Sequence, residues 1–168
     1  GSANVIELHG ALAETGCLSC GLVVERDALQ ARMQTDNPWW SDAPVVAAPD
    51  GDADLPDAWL ERFVVPECEA CGGVLKPRVV FFGDNVAKEV VERAYAWVDG
   101  ARALLVAGTS LAVFSGYRFL RRAAERSIPT IIVNRGPVRG EELAALKIEA
   151  STGETLARFA ALTSADGT

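Results

Sequence analysis

The four cysteines are all that the chain has, and they fall in two identical pairs, Cys17-Leu18-Ser19-Cys20 and Cys68-Glu69-Ala70-Cys71. A two-residue gap lets both thiolates of a pair point at one centre across a tight turn. Gly21 and Gly72-Gly73 follow the pairs where the backbone must fold back. Four thiolates complete a tetrahedral Zn2+ site with no open position, so such a site is structural and cannot activate water. Two redox or disulfide pairs are the competing reading, and the reduced thiols of an intracellular chain favour the metal. The other reactive residue is the single histidine, His9, between the apolar segment Val5-Ile6-Glu7-Leu8, read as extended, and Gly10. An unperturbed imidazole titrates near pH ~6.5 and suits a general base. A lone histidine at a strand end is more often structural.

Elements must hold these groups in place. Between the cysteine pairs, Asp27 to Gln34 has helical character, and Asn37-Pro38-Trp39-Trp40 leads into a stretch rich in Pro, Asp, Gly and Ala from Ser41 to Pro56 that reads as a long loop. Packing over the zinc module is the favoured role for the Trp pair, ahead of an exposed recognition patch. Beyond the second pair, apolar strands alternate with amphipathic helices. Strands are expected at Arg78–Phe82, Ala103–Ala107, Thr130–Val133 and near Lys147-Ile148-Glu149, with helices at Lys88–Val98, Gly116–Glu125 and Gly153–Leu162. Such alternation implies a parallel sheet covered by helices, and the near-continuous run Leu104-Leu105-Val106 implies burial on both faces. Ligands of these sheets sit at the carboxyl ends of strands. Gly108-Thr109-Ser110-Leu111 and Asn134-Arg135-Gly136-Pro137 leave two of those ends with a composition suited to phosphate or ribose. Each is also an ordinary turn composition, and no G-x-G-x-x-G or Walker sequence is present.

The whole composition narrows the class. With 168 residues, 49% hydrophobic and 23% charged, the chain is globular, and disorder, collagen and coiled coil are excluded. No apolar run approaches the ~20 residues of a bilayer span, and the first residues lack the pattern of a secretion signal. A soluble intracellular protein with no membrane partner is expected. A net charge of −7 and no long basic cluster argue against direct nucleic-acid binding.

Taken in order, Glu7-Leu8-His9-Gly10, the two Cys-x-x-Cys pairs, Leu75-Lys76-Pro77-Arg78-Val79-Val80-Phe81-Phe82-Gly83-Asp84, Gly108-Thr109-Ser110-Leu111 and Ile132-Val133-Asn134 resemble the sirtuins, the NAD-dependent protein lysine deacylases. The likeness runs from about Val5 to Leu162. Asn37-Pro38, Ala48-Pro49-Asp50-Gly51-Asp52 and Ser115-Gly116-Tyr117-Arg118-Phe119 look most like the branch that contains mitochondrial sirtuin 4 and bacterial relatives.

The resemblance implies an α/β fold, a partial parallel Rossmann-like sheet with a small four-cysteine zinc-ribbon module. Residues 1–16 and 75–168 would form the NAD-binding domain and 17–74 the zinc module with its insert. It implies that Cys17, Cys20, Cys68 and Cys71 hold structural zinc. His9 would be the catalytic base, deprotonating a ribose hydroxyl after the acyl oxygen has displaced nicotinamide. Val80, Phe82, Gly83 and Val113 would bind an acyl-lysine protein or peptide as a strand sandwiched between two edges. Gly108, Thr109, Ser110, Asn134 and Thr152 would bind the NAD cosubstrate. The glycine-rich loop and the Gln-Asn-x-Asp-type segment that precede the His-Gly motif in sirtuins do not occur before His9. The expectation is therefore a carboxyl-terminal part, inactive alone, with an exposed apolar sheet edge and an amino-terminal segment as complementing partner. The expected products are nicotinamide and O-acyl-ADP-ribose, in a bacterial cytoplasm or, for a eukaryotic chain, a mitochondrion. A non-catalytic zinc-ribbon module that binds peptide, and a mono-ADP-ribosyltransferase, are the alternatives.

Overall fold

The computed structural model describes residues 2–42, 46–47 and 53–165. It divides into two compact units, Gly1–Leu8 with Val86–Thr168, and His9–Asn85. Of the loop expected from Ser41 to Pro56, residues 43–45 and 48–52, and with them Ala48-Pro49-Asp50-Gly51-Asp52, lie outside the described residues.

The unit His9–Asn85 is built on a three-stranded antiparallel sheet. Strand β1 (Gly10–Cys17) lies at its centre between β2 (Val23–Glu25) and β5 (Leu75–Val79). Two expectations are corrected here. Val5–Leu8 forms no strand, and His9 sits in the turn that enters β1. The strand expected at Arg78–Phe82 instead occupies Leu75–Val79 and belongs to this antiparallel sheet, with Cys17 opposite Leu75 and Gly16 opposite Lys76. Pairing with β1 draws the strand upstream, and its edge position tolerates Pro77, which has no N–H to give a ladder.

Helix α1 (Arg26–Asp36) bears out the helical reading of Asp27 to Gln34 and buries Leu29. It stops at Asn37, which is almost fully buried. The Asn37 side-chain amide donates to the carbonyls of Met33 and Val64, both at 2.9 Å, and its oxygen accepts the Val64 N–H at 2.7 Å. One side chain thus ties the outgoing and returning ends of the insert, satisfying its polar atoms as burial requires. The insert is more ordered than the expected loop. It holds a 3-10 turn (Pro38–Asp42), the short hairpin β3 (Val46–Ala47) and β4 (Ala53–Asp54), and helix α2 (Asp57–Arg62). Trp39 meets Trp40 at 5.6 Å and Trp59 at 5.4 Å, Trp40 meets Phe63 edge-on at 4.8 Å, and the Arg62 guanidinium lies 4.4 Å over Trp39. These rings pack within the insert.

In the other unit, β6 (Leu104–Ala107), β7 (Thr130–Val133) and β8 (Leu146–Ile148) form a parallel sheet in that order. Helices α3 (Lys88–Asp99), α4 (Phe114–Glu125) and α5 (Thr152–Ala165) alternate with the strands as the sequence predicts. Val106, Leu111, Leu120, Ile132 and Val138 make the core, extended by Leu104, Tyr117 and Ala144. Burial of β6 on both faces is corrected: Leu105 is 47% exposed, because β6 stands at the sheet edge, whereas Ile132 and Val133 of central β7 are sealed. Helix α4 ends in a Schellman motif, with the Ser127 N–H bonded to Ala124 O and the Ile128 N–H to Ala123 O. Ser127 carries the left-handed turn at φ +56°. Among the described residues no helix is long and apolar enough to cross a membrane.

Candidate functional site

The four cysteine sulfurs lie within 4.8 Å of one another. Cys17 Sγ is 3.5 Å from Cys71 Sγ, and Cys20 Sγ is 3.7 Å from Cys68 Sγ. No pair is bonded as a disulfide. A tetrahedron with Zn–S bonds of ~2.3 Å has edges of about 3.8 Å, so the cluster fits zinc. Each pair forms the same turn. The Gly21 N–H donates to Cys17 O at 3.1 Å and the Gly72 N–H to Cys68 O at 2.8 Å, with both glycines at positive φ. A Cβ on Gly73 would fall 2.5 Å from Ser19 Oγ and 2.9 Å from Cys17 Sγ, so the second turn closes on the first only without a side chain. The thiols are electrostatically unequal. The Cys20 backbone N–H, more than any other group, pulls Cys17 down to about 6. Against the opposing Gly73 N–H, the neighbouring thiols of Cys20 and Cys17 push Cys71 up to about 12. Four thiolates this close repel one another, and a dication among them relieves that repulsion.

On the same unit, His9 is held by its backbone: its carbonyl accepts the Val80 N–H at 2.9 Å. Gly10 makes this approach possible. It has φ +75°, and a Cβ there would lie 1.9 Å from Arg78 O. Val80 leads into an exposed segment in which Phe82 is fully exposed and Phe81 is 49% exposed. Gly83 turns the chain at φ +94°. Lys76 Nζ reaches back to Asp84 Oδ2 at 2.7 Å and lies 4.9 Å over the Phe81 ring. That hydrogen bond from Lys76 holds Asp84 below the usual carboxylate range.

In the other unit, three loops meet at the carboxyl edge of the parallel sheet. The Gly108 N–H donates to Val133 O at 3.0 Å, and Gly108 lies against the Thr152 side chain. Thr152 Oγ1 donates to Val133 O at 3.4 Å, and the Asn134 N–H to Ile148 O at 3.2 Å. Gly108, Asn134 and Thr152, far apart in sequence, are thus brought together. Thr109 Oγ1 accepts the Leu111 N–H at 3.1 Å, and Ser110 O accepts the Arg139 N–H at 2.8 Å. Leu111 is buried with φ +51°, backbone strain held at this loop. Val113 is exposed immediately before α4.

Sequence reasoning missed the residues that clamp these loops. Arg139 Nη1 donates to Ala112 O at 3.1 Å, and its guanidinium lies 4.4 Å over Tyr117. Lys147 bridges Glu141 at 2.7 Å and Glu149 at 3.3 Å. Those carboxylates accept the backbone N–H groups of Val138 and Gly136 respectively. The alternation Lys147-Ile148-Glu149 was the available signal, since charged residues two apart in an extended stretch fall on the same side.

The Sir2 family model matches residues 1–115. The chain belongs to the Sir2 family. This Sir2-family chain is 48% identical over 157 residues to an NAD-dependent protein deacetylase of Xanthomonas campestris pv. campestris (strain 8004), covering 94% of this chain and 54% of that relative. It is 46% identical over 156 residues to the mitochondrial NAD-dependent protein lipoamidase sirtuin-4 of Bos taurus, covering 93% of this chain and 50% of the relative. A solved structure of Sir2 with p53 peptide and NAD+ shares the fold, with a TM-score of 0.69 and 24% identity over 94% of this chain and 55% of that one. The chain spans about half the length of the curated relatives it matches.

Proposed function

We propose that this chain supplies the peptide-binding edge, the catalytic base and the adenosine-side loops of an NAD-dependent protein lysine deacylase. The observation that carries the reading is the His9–Val80 backbone bond made possible by Gly10. It builds the proposed base and the exposed segment that would receive an acyl-lysine peptide as one piece. Val80, Phe82 and Gly83 offer backbone to that peptide, and the family resemblance assigns Val113 to peptide binding as well. NAD, when bound, supplies the electrophilic anomeric carbon and the nicotinamide leaving group. Gly108, Thr109, Ser110, Asn134 and Thr152 orient its adenosine side. Gly108 offers close backbone approach, while the hydroxyls and the amide offer hydrogen bonds. Neutral His9 takes the proton of a ribose hydroxyl, and Cys17, Cys20, Cys68 and Cys71 hold a structural zinc that takes no part in the reaction. The bacterial deacetylase relatives support a bacterial setting.

Replacing the matched 157 residues of the Xanthomonas campestris relative by this chain gives a protein on which turnover can be measured. With NAD and an acetyl-lysine peptide, the expected products are nicotinamide, O-acetyl-ADP-ribose and free lysine peptide in equal amounts. Peptide binding without turnover would leave the non-catalytic zinc module in its place, and ADP-ribose on protein would indicate the transferase.

A further inference from the structure

We infer that Arg139 is a positioning residue that holds the loop 108–113 set for both substrates at once. The inference rests on the deacylase reading, under which Gly108, Thr109 and Ser110 serve NAD and Val113 serves the peptide. The loop runs from the end of β6 to the start of α4 and contains one unfavourable backbone position. Leu111 stands at φ +51°, in the left-handed region that is costly for a residue with a Cβ. Its side chain is buried in the core, so close to Gly116 that a Cβ there would lie 3.3 Å from Leu111 Cδ2. Burial anchors the side chain. The peptide units on either side of Leu111 still need partners to keep them turned.

Arg139 supplies both from one residue. Its backbone N–H donates to Ser110 O at 2.8 Å and its Nη1 to Ala112 O at 3.1 Å, so it grips the loop on each side of Leu111. Its guanidinium carbon lies 4.4 Å over the Tyr117 ring, which fixes the plane of the donor. Gly140 permits that approach: it has φ +78°, and a Cβ there would fall 2.5 Å from Tyr117 Cε2. Within the loop, the Leu111 N–H reaches Thr109 Oγ1 at 3.1 Å. That bond moves with the loop, whereas Arg139 belongs to the segment after β7 that also carries Asn134. One held conformation thus serves the NAD residues before Leu111 and the peptide residue after it. If the loop relaxes, each ligand alone finds it competent for only a fraction of the time, and both affinities fall by that same fraction. Binding of one ligand then restores the loop for the other.

The test uses the Xanthomonas campestris chimera carrying this chain and its Arg139→Met form, matched for zinc content and melting temperature. Titrated separately, NAD and an acetyl-lysine peptide should each bind the variant about three- to tenfold more weakly, by one common factor. With both saturating, kcat should stay within about twofold. Arg139→Lys keeps a cation and a donor, and should fall between the two proteins. Weakening of one ligand alone, or of neither, would overturn the inference, since a residue that merely touches NAD or merely touches peptide would weaken only that one. On the full chain, amide exchange at Leu111 should quicken in Arg139→Met, and unchanged exchange would overturn the hold on the loop without reference to activity. No turnover by the unsubstituted chimera would be a failure of the deacylase reading and would take this inference with it, whereas turnover with unmoved binding would remove this inference alone.

Discussion

Gly10 and Gly21 share the same backbone angle, φ +75°, but only Gly10 has a carbonyl 1.9 Å from where a Cβ would sit, while Gly21 faces open space. Alanine at Gly21 pays only for the left-handed conformation, roughly 1–2 kcal/mol. Alanine at Gly10 adds a displacement of β1 from Arg78 and should cost clearly more, above about 2 kcal/mol. Denaturant melts of the two variants check the difference, and equal losses would mean that the Gly10–Arg78 approach is not tight. The sequence shows the His-Gly dipeptide but hides its reason, because the atom that excludes a side chain at Gly10 belongs to a strand nearly seventy positions away. Arg139 was not legible at all. Its grip on Ala112 is a property of packing, which no spacing rule reports.

At the scale of elements, the helices and the parallel strands were legible because their apolar periodicity is strong, as in the buried Val91 and Val98 of α3. Strand β1 was not. Its register slips between Gly10 and Thr15, and that irregularity erases the alternation a reader would count. The Phe81-Phe82 pair drew the expected strand downstream, although the ladder ends at Val79 and those rings are exposed. Helix α4 offers a direct check on its C-terminal cap. Ser127 holds a left-handed position that glycine adopts freely, so Ser127→Gly should raise stability by about 0.5–1 kcal/mol in a thermal melt.

The clamp on the Asn134 loop has a defined pH response. Glu141 is held below its ordinary range first by the Lys147 hydrogen bond, and Glu149 first by the Gly136 N–H. Their contribution is complete above the ordinary carboxylate range and is lost as pH falls through the lowered values. Lys147 is raised, chiefly by Glu141, so its contribution is complete below the ordinary lysine range and is lost as pH rises through the raised value. Lys147→Met should speed amide exchange at Gly136 and Val138 several-fold at neutral pH, and unchanged exchange would remove the clamp.

At the scale of the molecule, the cysteine cluster and the parallel sheet belong to different compact units. If zinc binding is folding energy for the unit that holds it, a strong chelator should strip about one zinc per chain and abolish amide protection across β1, β2 and β5. Protection of β7 should persist. Uniform loss would show that the two units melt as one.

The central claim is that His9, placed by Gly10 against Val80, serves as the base of a lysine deacylase. It is tested most directly by comparing the Xanthomonas campestris chimera carrying this chain with its His9→Ala form, matched for zinc content and melting temperature, and measuring deacetylated peptide formed with saturating NAD. The account predicts steady turnover for the first and a loss of at least about 100-fold for the second. An unchanged rate in the folded, zinc-loaded His9→Ala protein would contradict it.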